Sequence, residues 1–117
     1  FLDHAGKPDI RSARLDPWRE HINTLASFPH VVCKLSALVT QARHNSWQPA
    51  DLRPYWDHAI SAFGPARLLF GSDWPVLKLA SSYRRWFQTA TTMTANLSSS
   101  DRAAIFHHNA TRVYHIC

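Results

Sequence analysis

Three short apolar runs, at residues 1–3, 31–35 and 67–70, are each followed by a loop and then by a stretch with helical periodicity. Their starts lie 30 and 36 residues apart, the length of one strand with its crossover helix. This repeat constrains the chain more than any other feature, because short strands alternating with helices pack as a parallel sheet covered by helices, an α/β fold. In the first unit Asp16 is placed to cap a helix with Pro17 at its first position and Trp18, Ile22 and Leu25 on one face, until Phe28-Pro29 ends it. In the second, residues 36–48 read as a polar connection. Leu52, Trp56, Ala59 and Phe63 then recur at helical spacing up to Gly64-Pro65, and Pro54 is tolerable only in the first turn. In the third, Tyr83, Trp86, Phe87 and Ala90 form a stripe read as core. Ser98-Ser99-Ser100-Asp101 reads as the capped start of a last helix carrying Ala104, Ile105 and Phe106.

Three βα units cannot close an eight-stranded barrel, which takes about 250 residues. The 117 residues are therefore either a small open α/β domain or the tail of a larger barrel, and an opening on strand-like Phe1-Leu2 favours the tail. With 45% hydrophobic residues and only 3 glycines, a packed core is expected rather than a disordered chain. The net charge of +5 invites an acidic or nucleic-acid partner, but the arginines are spread between apolar segments and form no nucleic-acid motif, so solvated helix faces are expected. No window is long and apolar enough for a membrane span, and no signal peptide is read. Cys33 and Cys117 show no paired spacing and read as reduced thiols of a cytoplasmic protein.

Chemistry concentrates where the apolar runs end. Gly71-Ser72-Asp73-Trp74-Pro75 follows Leu68-Leu69-Phe70 and places a carboxylate at a strand exit, where parallel barrels build their active sites. The glycine is read as letting the backbone leave the sheet, and Trp74 as an apolar wall. Asp73 is a candidate base or metal ligand, and its ordinary alternative is a helix cap or turn residue. The first run delivers Asp3-His4 and the second delivers Lys34 and Ser36. Histidine supplies a proton shuttle or metal ligand, lysine polarises a carbonyl, and aspartate deprotonates water: a set suited to carbonyl hydrolysis. His107-His108 is read as structural, since neighbours on a helix point about 100° apart.

Phe1-Leu2-Asp3-His4-Ala5-Gly6-Lys7-Pro8, Val32-Cys33-Lys34-Leu35-Ser36, the stretch from Phe63 through Gly71-Ser72-Asp73-Trp74-Pro75-Val76, and Asn109-Ala110-Thr111-Arg112-Val113-Tyr114 resemble, in that order, the C-terminal part of amidohydrolase-2-type TIM-barrel hydrolases. This group includes sugar lactonases of the L-fuconolactonase and L-rhamnonolactonase kind. The resemblance spans the whole chain, residues 1–117, and implies a partial (β/α)₈ barrel made of the last three βα units. It implies Asp73 as the residue that activates water, His4 as a catalytic, substrate or metal contact, and Lys34, Ser36 and Trp74 as substrate-binding residues. Members of the group differ in their need for a divalent metal ion such as zinc; His4 and Asp73 are the ligands this stretch would give. The expected activity is hydrolysis of a sugar lactone, a small-molecule substrate, by a longer enzyme of which this piece alone is inactive. Two competing readings are a related amidase or decarboxylase on the same scaffold, and a non-catalytic basic α/β module with an acidic partner.

Overall fold

The computed structural model describes residues 1–116, so Cys117 lies outside the described residues. Two strands, β1 (Cys33–Leu35) and β2 (Leu68–Phe70), pair in parallel with Cys33 opposite Leu68 and Leu35 opposite Phe70. On the other side of β1 the expected first strand is reduced to one parallel bridge between Leu2 and Cys33, held by Leu2 N–H to the Val32 carbonyl (2.8 Å) and Lys34 N–H to the Leu2 carbonyl (2.9 Å). It stops there because a tight turn over Asp3–Gly6 lifts the chain out of the sheet at once.

Alternation along the strands sorts the side chains. Cys33, Leu35 and Leu68 are buried on the face that the helices cover, whereas Lys34 and Leu69, opposite one another in register, share the other face. The helices are α1 (Trp18–Ala26), α2 (Leu38–Gln41), α3 (Pro49–Phe63), α4 (Tyr83–Met93), α5 (Ser99–Ala103) and α6 (Asn109–Val113). Trp56 of α3 and Trp86 of α4 meet edge to face at 6.0 Å, and Trp86 stacks on Phe70 at 5.9 Å. This joins both helices to the sheet.

Several local expectations need correction. Asp16 does not cap α1, because its carboxylate accepts two hydrogen bonds from the Arg19 guanidinium (3.0 and 2.6 Å), and Pro17 precedes the helix. Residues 36–48 are not simply a polar connection: they contain α2 and bury Leu38, Val39, Ala42 and Trp47, whose indole N–H donates to the Ala80 carbonyl (2.8 Å). α3 starts at Pro49 with a reciprocal capping box between Gln48 and Asp51, which leaves Pro54 in its second turn. Tyr83 and Phe87 are exposed and stack on each other, so only Trp86 and Ala90 of that stripe are core. Ser98 does cap α5, accepting from the Asp101 N–H at 3.1 Å, but the last helix is broken by a wide turn over Ala104–His108.

Asn109, 4% exposed, closes the end of the sheet away from the strand exits. Its side-chain amide donates to the carbonyls of Pro65 (2.6 Å) and Leu68 (2.8 Å). Asn109→Ala is expected to cost about 2–3 kcal/mol, because both acceptors are left without their donor in a buried setting. Urea unfolding of the two proteins measures it.

Candidate active site

All three strand segments release the chain through residues in the left-handed backbone region. His4, Ala5, Gly6 and Lys7 have φ of 55°, 49°, 72° and 50°, Ala37 follows β1 at 60°, and Asp73 follows β2 at 57°. Each non-glycine residue so placed costs roughly 1–2 kcal/mol, and packing holds the first turn in place. The Trp18 indole N–H donates to the Ala5 carbonyl (2.7 Å), and the Tyr55 hydroxyl donates to the Arg14 carbonyl (2.9 Å) in the loop that follows.

These turns bring together three of the residues expected at a site. His4 Nδ1 lies 2.7 Å from the Ser36 Oγ, and His4 Nε2 lies 3.7 Å from Asp73 Oδ1. Ser36 is buried, His4 and Asp73 partly so. Asp73 is not acting as a cap. The turn after β2 is closed by its backbone carbonyl, which accepts from the Leu77 N–H (2.8 Å), while Ser72 Oγ accepts from the Trp74 N–H (3.2 Å). The carboxylate is left facing the histidine.

Gly71 serves differently from expectation, because its backbone is not in the left-handed region; that conformation falls to Asp73. What the glycine provides is room: a Cβ at Gly71 would stand 3.0 Å from the Ser36 Cβ. Gly71→Ala is therefore expected to displace Ser36, destabilise by about 1–3 kcal/mol through overpacking, and loosen His4. Thermal unfolding, together with a shift of the His4 ring resonances, tests this.

Lys34 and Trp74 stand apart from the His4–Ser36–Asp73 group. The Lys34 ammonium lies 3.1 Å from Asp3 Oδ1 and beside the stacked rings of Phe1 and Tyr114, 5.3 and 5.6 Å from their centroids. Hydrogen bonds to the Tyr114 hydroxyl and the Asp3 carboxylate push its pKa above the usual lysine value, and the same ammonium holds the Asp3 carboxyl below its usual range. Trp74 is 63% exposed, with the Lys78 ammonium 5.7 Å over its ring. Among the described residues Cys33 is an unpaired thiol, pushed up to about 12 by burial, which makes it inert at neutral pH.

His4 and Asp73 open into a cleft of about 330 Å³, lined also by Lys7, Ala37, Thr40, Gln41, His44, Val76 and Leu79. That is at the small end of the usual range for small-molecule sites, about 300–1,000 Å³. The sequence reading missed Lys7 and His44. Lys7 sits in the Gly6-Lys7-Pro8 turn, and apolar Leu38-Val39 and Ala42 are the signal that this connection packs on the core and so brings His44, in the turn just after α2, to the cleft. Two ligands of a tetrahedral zinc, each about 2.0–2.2 Å from the ion, lie about 3.3–3.6 Å apart. His4 Nε2 and Asp73 Oδ1 come close to that separation, but among the described residues no group of three His, Cys, Asp or Glu gathers around one point. The pair thus fits as two ligands of an incomplete set.

The Amidohydrolase family profile (Amidohydro_2) matches residues 1–116. The chain belongs to the amidohydrolase family. An L-fucono-1,5-lactonase of Burkholderia multivorans is 43% identical over 97% of this chain, and one of Burkholderia ambifaria is 39% identical over 98%. The chain spans 42% and 41% of the length of these two amidohydrolase relatives. A crystal structure of a Burkholderia multivorans amidohydrolase with bound zinc superposes with a TM-score of 0.95 at 41% identity, covering 99% of this chain and 43% of that one. Its amidohydrolase neighbours are TIM barrels, and the fold described above is a partial (β/α)₈ barrel.

Proposed function

We propose that this chain forms the last three βα units of a (β/α)₈ enzyme that hydrolyses sugar lactones, with L-fucono-1,5-lactone as the first substrate to test. The observation that carries the reading is the Asp73 carboxylate, free of capping duty and held 3.7 Å from a histidine that a buried serine anchors. The likeness to two proteins named L-fucono-1,5-lactonase supports the choice of substrate.

In this mechanism Asp73 takes a proton from water as the water oxygen attacks the lactone carbonyl carbon. The carbonyl oxygen gathers negative charge, then the ring C–O bond breaks and the ring oxygen leaves as a hydroxyl by taking up a proton. Ser36 fixes the His4 ring so that Nε2 faces the reacting atoms. Lys7 is the cation positioned to stabilise the oxyanion, because it lines the cleft and has no carboxylate partner among the described residues, whereas Lys34 is engaged by Asp3 and Tyr114. Lys34 then supports the site from two residues before Ser36, and Trp74 offers an apolar rim to the substrate. A divalent ion such as zinc, held by His4 and Asp73 with ligands from elsewhere in the barrel, would polarise the carbonyl and acidify the water.

We place the enzyme in the cytoplasm, on the unpaired state of Cys33; among the described residues no helix is long and apolar enough to cross a membrane. Five arginines are committed internally. Arg67, Arg85 and Arg112 donate to backbone carbonyls, while Arg19 and Arg53 pair with Asp16 and Asp57. A competing acid-binding module would need a cluster of free basic groups, and these five of the ten arginines are engaged by partners within the chain. The deciding experiment is a pH-indicator assay of the whole protein against a panel of aldonolactones, amides and carboxylated pyrones. Turnover of a sugar lactone well above the others is expected, and a preference for an amide or a decarboxylation would overturn the reading.

A further inference from the structure

We infer that His44 is a specificity-determining residue of this cleft, accepting a hydrogen bond from a substrate hydroxyl through Nδ1. The inference rests on the lactone reading above and adds to it a residue that neither the motifs nor the His4–Ser36–Asp73 group includes. His44 lines the same cleft as His4 and Asp73, and its Nε2 lies 3.0 Å from the backbone carbonyl of Thr40. A carbonyl oxygen can only accept, so Nε2 carries the hydrogen. In the neutral ring the other nitrogen is then an acceptor with its lone pair free. Among the described residues Nδ1 has no partner. The neighbouring hydroxyl is fixed in the same sense: Thr40 Oγ1 donates to the Ala37 carbonyl (2.8 Å), which leaves it too with only lone pairs to offer.

His44 and Thr40 therefore present acceptors to the cleft, whereas Lys7 presents only donors and Gln41, beside them on α2, offers both. A ligand that satisfies both must carry an acceptor at the end near Lys7 and hydroxyl donors at the other. A polyhydroxylated lactone has that pattern, with its carbonyl at one end of the ring and its hydroxyls at the other. A hydroxyl-free lactone or a dicarboxylate does not, and a carboxylate set against His44 and Thr40 would meet only lone pairs there. Selection by unsatisfied polar groups is the strongest discrimination a small site can make.

The test uses the whole protein and three forms of it: wild type, His44→Leu and His44→Gln. With L-fucono-1,5-lactone, His44→Leu is expected to raise KM on the order of 10-fold, the loss of one neutral hydrogen bond, with kcat within about threefold. His44→Gln keeps an acceptor on a side chain of similar reach and should recover most of that loss. Independently, the ¹⁵N resonance of His44 Nδ1 should shift when the wild type is titrated with L-fuconate, the hydrolysis product, and should not shift with valerate, which lacks hydroxyls. A His44→Leu KM within twofold of wild type, a glutamine variant no better than leucine, or an Nδ1 resonance indifferent to L-fuconate would each overturn the assignment. If the wild type fails to open the lactone, the reading of the reaction falls, and the L-fuconate titration still decides His44.

Discussion

Asp73→Asn in the whole enzyme is expected to reduce turnover of L-fucono-1,5-lactone by about 10²- to 10⁴-fold, the usual effect of removing a general base. The amide preserves the shape of the side chain and cannot take the proton from water. Because the carboxylate makes no capping bond in its own turn, where the Asp73 backbone carbonyl bonds the Leu77 N–H instead, the substitution should leave the fold intact. The loss should therefore appear in kcat and not in KM, with an unchanged circular dichroism spectrum and thermal midpoint. A variant within a few-fold of wild type would return Asp73 to an ordinary turn residue.

The largest structural effect is expected at Trp86, which is fully buried and donates its indole N–H to the Gly71 carbonyl at 2.8 Å. Trp86→Ala should destabilise by about 3–5 kcal/mol from the cavity alone, a large share of the 5–15 kcal/mol that keeps a typical domain folded. Urea unfolding measures it. Trp86→Phe separates two roles: it keeps most of the contact with Phe70 and Trp56 and removes the bond that steadies the turn before Asp73. A phenylalanine variant that is nearly as stable as wild type and clearly less active would show that the indole positions the site as well as filling the core.

Much of the architecture was legible because it depends on local signals. The spacing of the apolar runs found β1 and β2, and the Ser98 cap and the Leu52–Phe63 periodicity found helix positions. What escaped depends on partners far away in sequence. Nothing around Ser36 announces that its hydroxyl meets a ring 32 residues earlier, and nothing around Lys34 announces that Asp3 and Tyr114 occupy it. The first strand was overestimated because Phe1-Leu2 is apolar enough to pair, while the left-handed conformations of His4 and Ala5 leave no trace in residue types that rarely adopt them. Asp73 drew attention in the sequence because it directly follows a buried strand, a position that a helix cap or turn residue would also explain. His44 did not, because its importance lies in one carbonyl fixing one tautomer.

The left-handed turns at the three strand exits bear on how such a site can be moved. His4, Ser36 and Asp73 are aimed by the backbone of their own βα units and by Trp18, Tyr55 and Trp86 behind them, all within this one stretch of chain. Their mutual geometry is thus a property of a transplantable cassette, and splicing residues 1–116 onto the front portion of a different barrel should carry the triplet across unaltered. Any further metal ligands would then be inherited from the recipient, whereas the part of substrate choice that rests on Lys7 and His44 would travel with the cassette.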